Sequence, residues 1–413
     1  MRCHISVSLH SHLSCHNRLP LLALASRSVN YMYAIHFANA TFAFANLAHA
    51  SNFPSVETAR NKGLAGMIDS ALEVTDRGNC DVLGRNLGLC IDKNGRGCVA
   101  GYRLVSYRDS SGTAKPGVLI NDRVFSPTDL LQDVAQRIDT GSVIGLLRKW
   151  DEVHPRLHAA ALSVNVTHAL PFAEIVLDAP VLYPGALFCA GANYWDHLRE
   201  MAETATRTTG EAPSMSKGAE PWFFIKTSAS SIVGTDVPVR LPGFTRQVDW
   251  EAELGAVIAR PTRNIPESRA LDAVAAYVIV NDLSARDLMK REGTPFIYDW
   301  VGQKCFEDAA PMGPWLTPAA YVPDPNNLSI KLWVNGVLKQ DSNTSLMVHG
   351  IAEQVAYLSR HLTLQPGDVI ATGTPAGVGM PRGEFLKAGD EVQIEIANCG
   401  RLRNRMITEC ERE

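Results

Sequence analysis

Val248-Asp249-Trp250-Glu251-Ala252-Glu253-Leu254 places two glutamates two residues apart in an otherwise largely apolar run. Read as one strand over 248–258, its alternation puts Glu251 and Glu253 on the same face. Two carboxylates buried that close repel each other unless a cation sits between them. A second apolar run over 275–280 ends in Asn281-Asp282 and brings a third carboxylate to a strand end. Three acidic oxygens with room left for water suit Mg²⁺ or Mn²⁺. A solvated strand face with a turn aspartate is the other reading of the same spacing.

A histidine and a lysine supply the remaining chemistry. His197 and Glu200 lie three apart in a segment, 195–203, that reads as a helix, so both project from one face. A carboxylate that fixes an imidazole's tautomer makes a general base for water, although pairs at this spacing also arise incidentally on helices. Lys304, set among Val301, Cys305 and Phe306, has an ammonium suited to an oxyanion that develops beside a metal. The plainer reading is a solvated lysine. Thr372-Gly373-Thr374-Pro375-Ala376-Gly377-Val378-Gly379 follows a turn and a strand, and its glycines expose backbone N–H groups that suit a carboxylate. It lacks the Gly-Lys-Ser/Thr ending of a P-loop and the glycine spacing of a dinucleotide fingerprint.

The elements that must hold these residues fall after residue 100. The chain has 413 residues, enough for a large core, and a net charge of −4 that argues against a nucleic-acid partner. Nine cysteines without CxxC pairs fit reduced thiols in a cytosol-like compartment. Nine basic and six acidic side chains precede residue 101, against 30 and 37 after it. Residues 1–56 hold three arginines and no Asp, Glu or Lys. That composition reads as an extension without chemistry, a mitochondrial transit segment, or an export signal, the last weakened by polar residues in 31–50. A cytoplasmic address is expected, or a mitochondrial one if the leader is a eukaryotic transit segment. We therefore expect an extension over 1–98, a small domain over 99–180 and a catalytic domain over 181–413. Within the small domain, 102–107 and 117–120 read as strands, 126–137 as a short helix, and 153–170 as a helix with a linker. No membrane span is expected.

The order of motifs resembles the fumarylacetoacetate hydrolase family, in particular its acylpyruvate-hydrolase branch. The resemblance rests on Cys189-Ala-Gly-Ala-Asn-Tyr-Trp-Asp-His197-Leu-Arg-Glu200, Trp222-Phe-Phe-Ile-Lys226, Asp249-Trp-Glu251-Ala-Glu253-Leu and Asn281-Asp282-Leu-Ser-Ala-Arg286-Asp287. It continues through Gln303-Lys304-Cys-Phe, Pro311-Met-Gly-Pro314-Trp, the run from Leu364 to Gly379, and Gly400-Arg-Leu-Arg-Asn404. It implies an α+β, mostly β fold: a roll of mixed sheets behind a small N-terminal domain, usually assembled as a homodimer. It further implies that Glu251, Glu253 and Asp282 ligate Mg²⁺, with Mn²⁺ as a substitute. His197 and Glu200 would form a water-activating dyad on a segment that orders with substrate, and Lys304 would stand beside the metal. Arg286 and Thr374 would contact substrate. Met289 departs from the glutamine that several relatives carry there, which leaves the substrate open.

The implied reaction is metal-assisted hydrolysis of a C–C bond in a 1,3-dicarbonyl 2-oxo acid, of acylpyruvate, fumarylpyruvate or diketo sugar acid type. The same site would also serve a decarboxylase or isomerase of aromatic-acid catabolism, since each route passes through an enolate. A binding protein that keeps the fold without activity is the alternative of a different class.

Overall fold

The computed structural model describes residues 89–91, 97–99, 101–163, 168–210, 216–218, 220–293 and 295–412. The expectations for residues 1–56 lie outside the described residues. The segments 89–91 and 97–99 form an antiparallel pair.

Strand β1 (Arg103–Arg108) pairs antiparallel with β2 (Ala114–Ile120). The turn between them is closed by Asp109, whose Oδ1 accepts from the N–H groups of Ser111 and Thr113 at 2.9 and 3.0 Å. Helix α1 (Trp150–Leu162) buries Trp150, Val153 and Leu157, and begins earlier than its sequence suggested. The helix expected over 126–137 is only Pro127–Leu130, and turns follow it.

The central sheet is assembled from β3 (Leu187–Ala190), β4 (Phe223–Lys226), β6 (Ala252–Ile258), β7 (Val274–Asn281), β9 (Ala310–Pro318) and β12 (Val369–Ala371). It is mixed: β3 runs parallel to β12, while β6 is antiparallel to both β7 and β12. On the far side, β9 pairs with β7 and, through Leu316 opposite Leu104, with β1. The small N-terminal sheet and the central sheet are thus one continuous surface. A five-stranded sheet lies on one face of it, including β10 (Ser329–Val334), β11 (Val337–Asn343), β13 (Glu391–Ile396) and β14 (Gly400–Thr408).

Strand β6 is buried on both faces. Leu254, Ala256 and Ile258 enter a core shared with Ile330, Leu332, Ile394 and Leu402 of the five-stranded sheet. Val257 enters the opposite core, which includes Val153 and Leu157 of α1. A strand without a solvent face reads as a continuous apolar run, and charged residues inside it therefore demand a reason.

The single strand expected over 248–258 is broken. Residues Val248–Asp249 (β5) pair with Ser284–Ala285 (β8) in a separate ribbon, and β6 begins only at Ala252. Side chains take over the backbone at the break. Trp250 N–H donates to Asp249 Oδ1 at 2.8 Å, and Glu251 N–H donates to Asn281 Oδ1 at 3.1 Å. Helices α2 (Trp195–Thr209), α3 (Trp300–Lys304) and α4 (Ile351–His361) complete the surroundings of this point. Among the described residues no helix is long and apolar enough to cross a membrane.

Leu254 has no exposed surface and lies between the acidic residue of β6 and its glycine. Leu254→Ala is expected to lower unfolding free energy by about 2–5 kcal/mol, read from the shift in urea midpoint.

Candidate metal and acid–base site

Glu251 at the strand break, Glu253 in β6 and Asp282 just after β7 offer carboxylate oxygens that all lie within 4.8 Å of one another, and all three side chains are buried. The break does not disperse them. It turns Glu251 back so that Asp282 N–H donates to Glu251 O at 2.9 Å, which locks the two carboxylate-bearing segments together.

The electrostatics of this cluster are uneven. Lys304, the last residue of α3, donates to Glu251 Oε2 at 3.1 Å and to Asp282 Oδ2 at 2.7 Å. Lys226, with a side chain showing no exposed surface, forms an ion pair with Asp282 Oδ1 at 2.8 Å. Its ammonium also donates to the carbonyls of Leu283 and Ala309 at 2.8 and 2.5 Å. Arg286 donates through Nε to Asp249 Oδ2 at 2.9 Å, and its Nη2 sits 2.6 Å from Glu251 Oε1. Three cations therefore face four carboxylates, and the unmatched one is Glu253. Its Oε2 accepts from Gly373 N–H at 2.8 Å, while Oε1 has no hydrogen-bond partner.

Proton affinities follow from this layout. Burial pushes Glu251 upward, but Lys304 and then Arg286 outweigh it and hold its carboxyl down at about 2. Burial, then Asp282, then Glu251 push Glu253 well above the ordinary carboxylate value. Burial works against the charge of Lys304, yet Asp282 and Glu251 raise its pKa and keep it an ammonium. A divalent cation among the three carboxylates would give Glu253 Oε1 its missing partner and convert a surplus negative charge into a surplus positive one. Hard oxygen donors and an orphaned buried oxygen fit such an ion.

The proposed acid–base pair stands nearby. His197 Nδ1 lies 3.3 Å from Glu200 Oε2 on α2, and His197 is close enough to Glu251 to contribute, as the smallest of its causes, to that carboxyl's depression. Helix α2 is seated by Asn193, whose side chain bonds the backbone of Thr372 and His349, and by Asp196, which accepts from Ser342 at 2.6 Å.

The glycine loop was expected to offer its N–H groups to a ligand's carboxylate. Those described here serve the protein's own carboxylates instead. Gly373 N–H holds Glu253, Gly377 N–H donates to both oxygens of Glu200 at 3.1 and 3.2 Å, and Gly379 and Met380 N–H donate to Asp249 at 2.6 and 3.0 Å. Gly377 has φ of +105°, and a Cβ there would come within 2.2 Å of Lys339 O, so only glycine fits. Thr374, expected to touch substrate, is buried and accepts from Gln340 Nε2 at 2.9 Å. Arg286, also expected to touch substrate, is paired with Asp249 and Glu251.

Three residues that brace the cluster carry no sequence signal of that task. Lys226 was visible as a lysine closing an aromatic strand but was given no role. Asp249 saturates both its oxygens across three segments. Gln340 joins Ala252 N–H, Thr374 and Pro375 O, with no local signal at all.

Known proteins resemble this chain in sequence and in fold. Residues 186–407 match the family model described as fumarylacetoacetate (FAA) hydrolase, C-terminal. The chain is 41% identical over 251 residues to "Oxaloacetate tautomerase fahd2, mitochondrial" of Xenopus laevis, covering 60% of this chain and 73% of that protein. It is 38% identical over 298 residues to "Oxaloacetate tautomerase FAHD2B, mitochondrial" of Homo sapiens, covering 71% of this chain and 86% of that protein. A solved maleylpyruvate hydrolase from Sphingobium sp. SYK-6, in complex with manganese(II) ion and pyruvate, superposes with a TM-score of 0.56 at 30% identity, covering 74% of this chain and 99% of that one.

Two outcomes test the cluster. A carboxyl whose folded pKa is raised contributes stability below its unfolded value near 4.5 and loses it as pH rises through the folded one. The metal-free protein should therefore weaken with rising pH as Glu253 ionises, and the gain in Tm on adding Mn²⁺ should grow over the same range. Glu253→Gln should remove both pH trends and the Mn²⁺ response. Separately, Lys226→Met leaves Asp282 with one fewer cation and should cost about 3–5 kcal/mol in chemical denaturation.

Proposed function

The chain belongs to the fumarylacetoacetate hydrolase family, and from that premise we propose that it is a Mg²⁺-dependent enzyme that moves a proton at C3 of a 2-oxo acid. The reaction we assign is keto–enol tautomerisation of an oxaloacetate-type diacid. The observation that carries the reading is the buried triad with its orphaned Glu253 oxygen beside the His197–Glu200 pair. The sequence alone put C–C hydrolysis first; the two relatives named as oxaloacetate tautomerases support proton transfer ahead of it.

Bound at the triad, the ion supplies a Lewis acid for the oxygens of a 2-oxo carboxylate. The chain's own residues do the rest. His197, with Nδ1 turned to Glu200, leaves Nε2 to give or take the C3 proton. Glu200, fixed by Gly377 N–H, steadies the charged imidazole. Lys304 has two N–H groups committed to Glu251 and Asp282 and keeps the third for the substrate oxygen on which enolate charge gathers. In ketonisation the enol oxygen loses one proton and C3 gains one, so nothing is consumed.

Hydrolysis is the second reading, favoured by the same pair and by the maleylpyruvate hydrolase neighbour. There His197 takes a proton from water, hydroxide adds to the distal carbonyl, and the C–C bond breaks to an acid and an enolate that is then protonated. The acid-free stretch 1–56, with the mitochondrial names of the two relatives, supports a mitochondrial address. Import of a reporter fused to residues 1–98 into isolated mitochondria tests it.

The reaction is checked by following loss of enol absorbance for oxaloacetate and for acetylpyruvate, with products identified by mass. Mg²⁺-dependent ketonisation that leaves the four-carbon acid intact is expected, abolished by chelation or Glu253→Ala. His197→Ala should lower kcat by about 10²–10⁴-fold with a smaller change in KM. Pyruvate and acetate released from acetylpyruvate would favour hydrolysis, and metal-independent turnover would refute both readings.

A further inference from the structure

Helix α1 carries a second set of ligating atoms, different in chemistry from the carboxylate triad. His154 and His158 are four residues apart on it, so the two side chains are neighbours on one face. Their ring centres are 6.2 Å apart and the rings are inclined by 32°. Each imidazole is held by a tyrosine through the same nitrogen. The Tyr102 hydroxyl bonds His154 Nδ1 at 2.8 Å, and the Tyr321 hydroxyl bonds His158 Nδ1 at 2.7 Å. Both tyrosines are buried, Tyr102 just before β1 and Tyr321 just after β9, so the rings are tied to the core. Trp150, one turn earlier, stacks on His154 at 5.1 Å and 24°.

The open atom on each ring is Nε2. Both histidines are half-buried, and neither Nε2 has a hydrogen-bond partner or is sealed from solvent. Two imidazoles four apart on a helix are the arrangement that holds zinc in H-E-x-x-H metallopeptidases. A partner on the other ring nitrogen is the second half of such a site, because it fixes both ring orientation and tautomer. A hydroxyl suits that place: when an ion takes Nε2 the proton sits on Nδ1, and the tyrosine oxygen accepts it. Burial, then His158, lowers the pKa of His154, so its ring is neutral near pH 7, as a ligand must be. Two rings on one tetrahedral ion stand about 5 Å apart, given a metal–nitrogen length of about 2.1 Å, so the pair has to close by only about 1 Å.

We propose that His154 and His158 form a binding site for a divalent transition ion of the Ni²⁺, Cu²⁺ or Zn²⁺ type, with water in the remaining positions. Imidazole nitrogens favour these ions, whereas carboxylate oxygens suit Mg²⁺ and Mn²⁺, and Mn²⁺ lies lowest in the affinity series. The two sites therefore select different metals. An ion on α1 is linked through Tyr321 to the end of β9, the strand that joins the N-terminal sheet to the central one, and so clamps the helix to both.

The experiment titrates the full chain, kept in saturating Mg²⁺, with Ni²⁺, and follows tryptophan fluorescence and Tm. Bound Ni²⁺ quenches a nearby indole, and Trp150 stacks directly on one ligand. Wild type should show a saturable quenching step and a gain in Tm over the same range. Trp150→Phe should remove the step and keep the gain. His154→Ala and His158→Ala should each remove both. If His158→Ala does not fold, judged by its ion-free Tm, His158→Gln repeats the test with an amide that still meets the Tyr321 hydroxyl. Tyr321→Phe keeps both ligands but frees one ring, and should raise the Ni²⁺ midpoint by about 10–100-fold. Absence of a saturable step in wild type, or a step and gain that survive either histidine substitution, overturns the proposal. An unchanged midpoint in Tyr321→Phe overturns the part given to the tyrosine.

Discussion

One buried carboxylate without a cation governs this structure. Asp249, Glu251 and Asp282 each have a lysine or arginine within ion-pair distance, whereas Glu253 has a single backbone N–H and an oxygen with no partner. Burying an unpaired charge is among the costliest arrangements a fold can adopt, so the position either stays protonated or recruits a cation. Glu253 sits in the central strand, buried on both faces, and cannot turn away to water. The constraint therefore passes from one side chain to the chemistry of the whole site.

The loop after β12 extends that constraint to the acid–base pair. Its backbone N–H groups hold Glu253, Glu200 and Asp249, so a carboxylate of the triad, the partner of His197 and the anchor of Arg286 all hang on one short segment. Trp250 ties the same loop from below, donating from Nε1 to Gly377 O at 3.0 Å. A shift of this loop would disturb the three carboxylates together. Backbone donors suit the task, because they carry no side-chain entropy.

Much of this was legible in the sequence. The strand-ending Asp282 and the three-residue spacing of His197 and Glu200 are local patterns that strand and helix periodicity translate directly, whereas Glu251 joins Glu253 and Asp282 at a break in the strand rather than by alternation along it. The order of motifs gave the roll of mixed sheets and its family. What stayed hidden depends on distance along the chain. Lys226 looks like any lysine at a strand end until β4 is laid near Asp282. Gln340 is anonymous until its strand crosses Ala252 and Thr374. The break at Trp250 and Glu251 was missed because Asp249 and Asn281 side chains replace ladder bonds there, and alternation alone cannot register that. The loop's glycines were rightly read as donors, but the receiving carboxylates come from three remote segments.

The most direct test of the account is calorimetric titration of the full chain with Mn²⁺ in two buffers of different ionisation enthalpy across a range of pH. One ion per chain is predicted, with a proton released toward the acid end and that release fading as Glu253 ionises on its own, and with binding lost in Glu253→Gln. Binding that ignores pH and survives Glu253→Gln, or no binding at all, would contradict the claim that the unpaired carboxylate exists to hold a divalent cation.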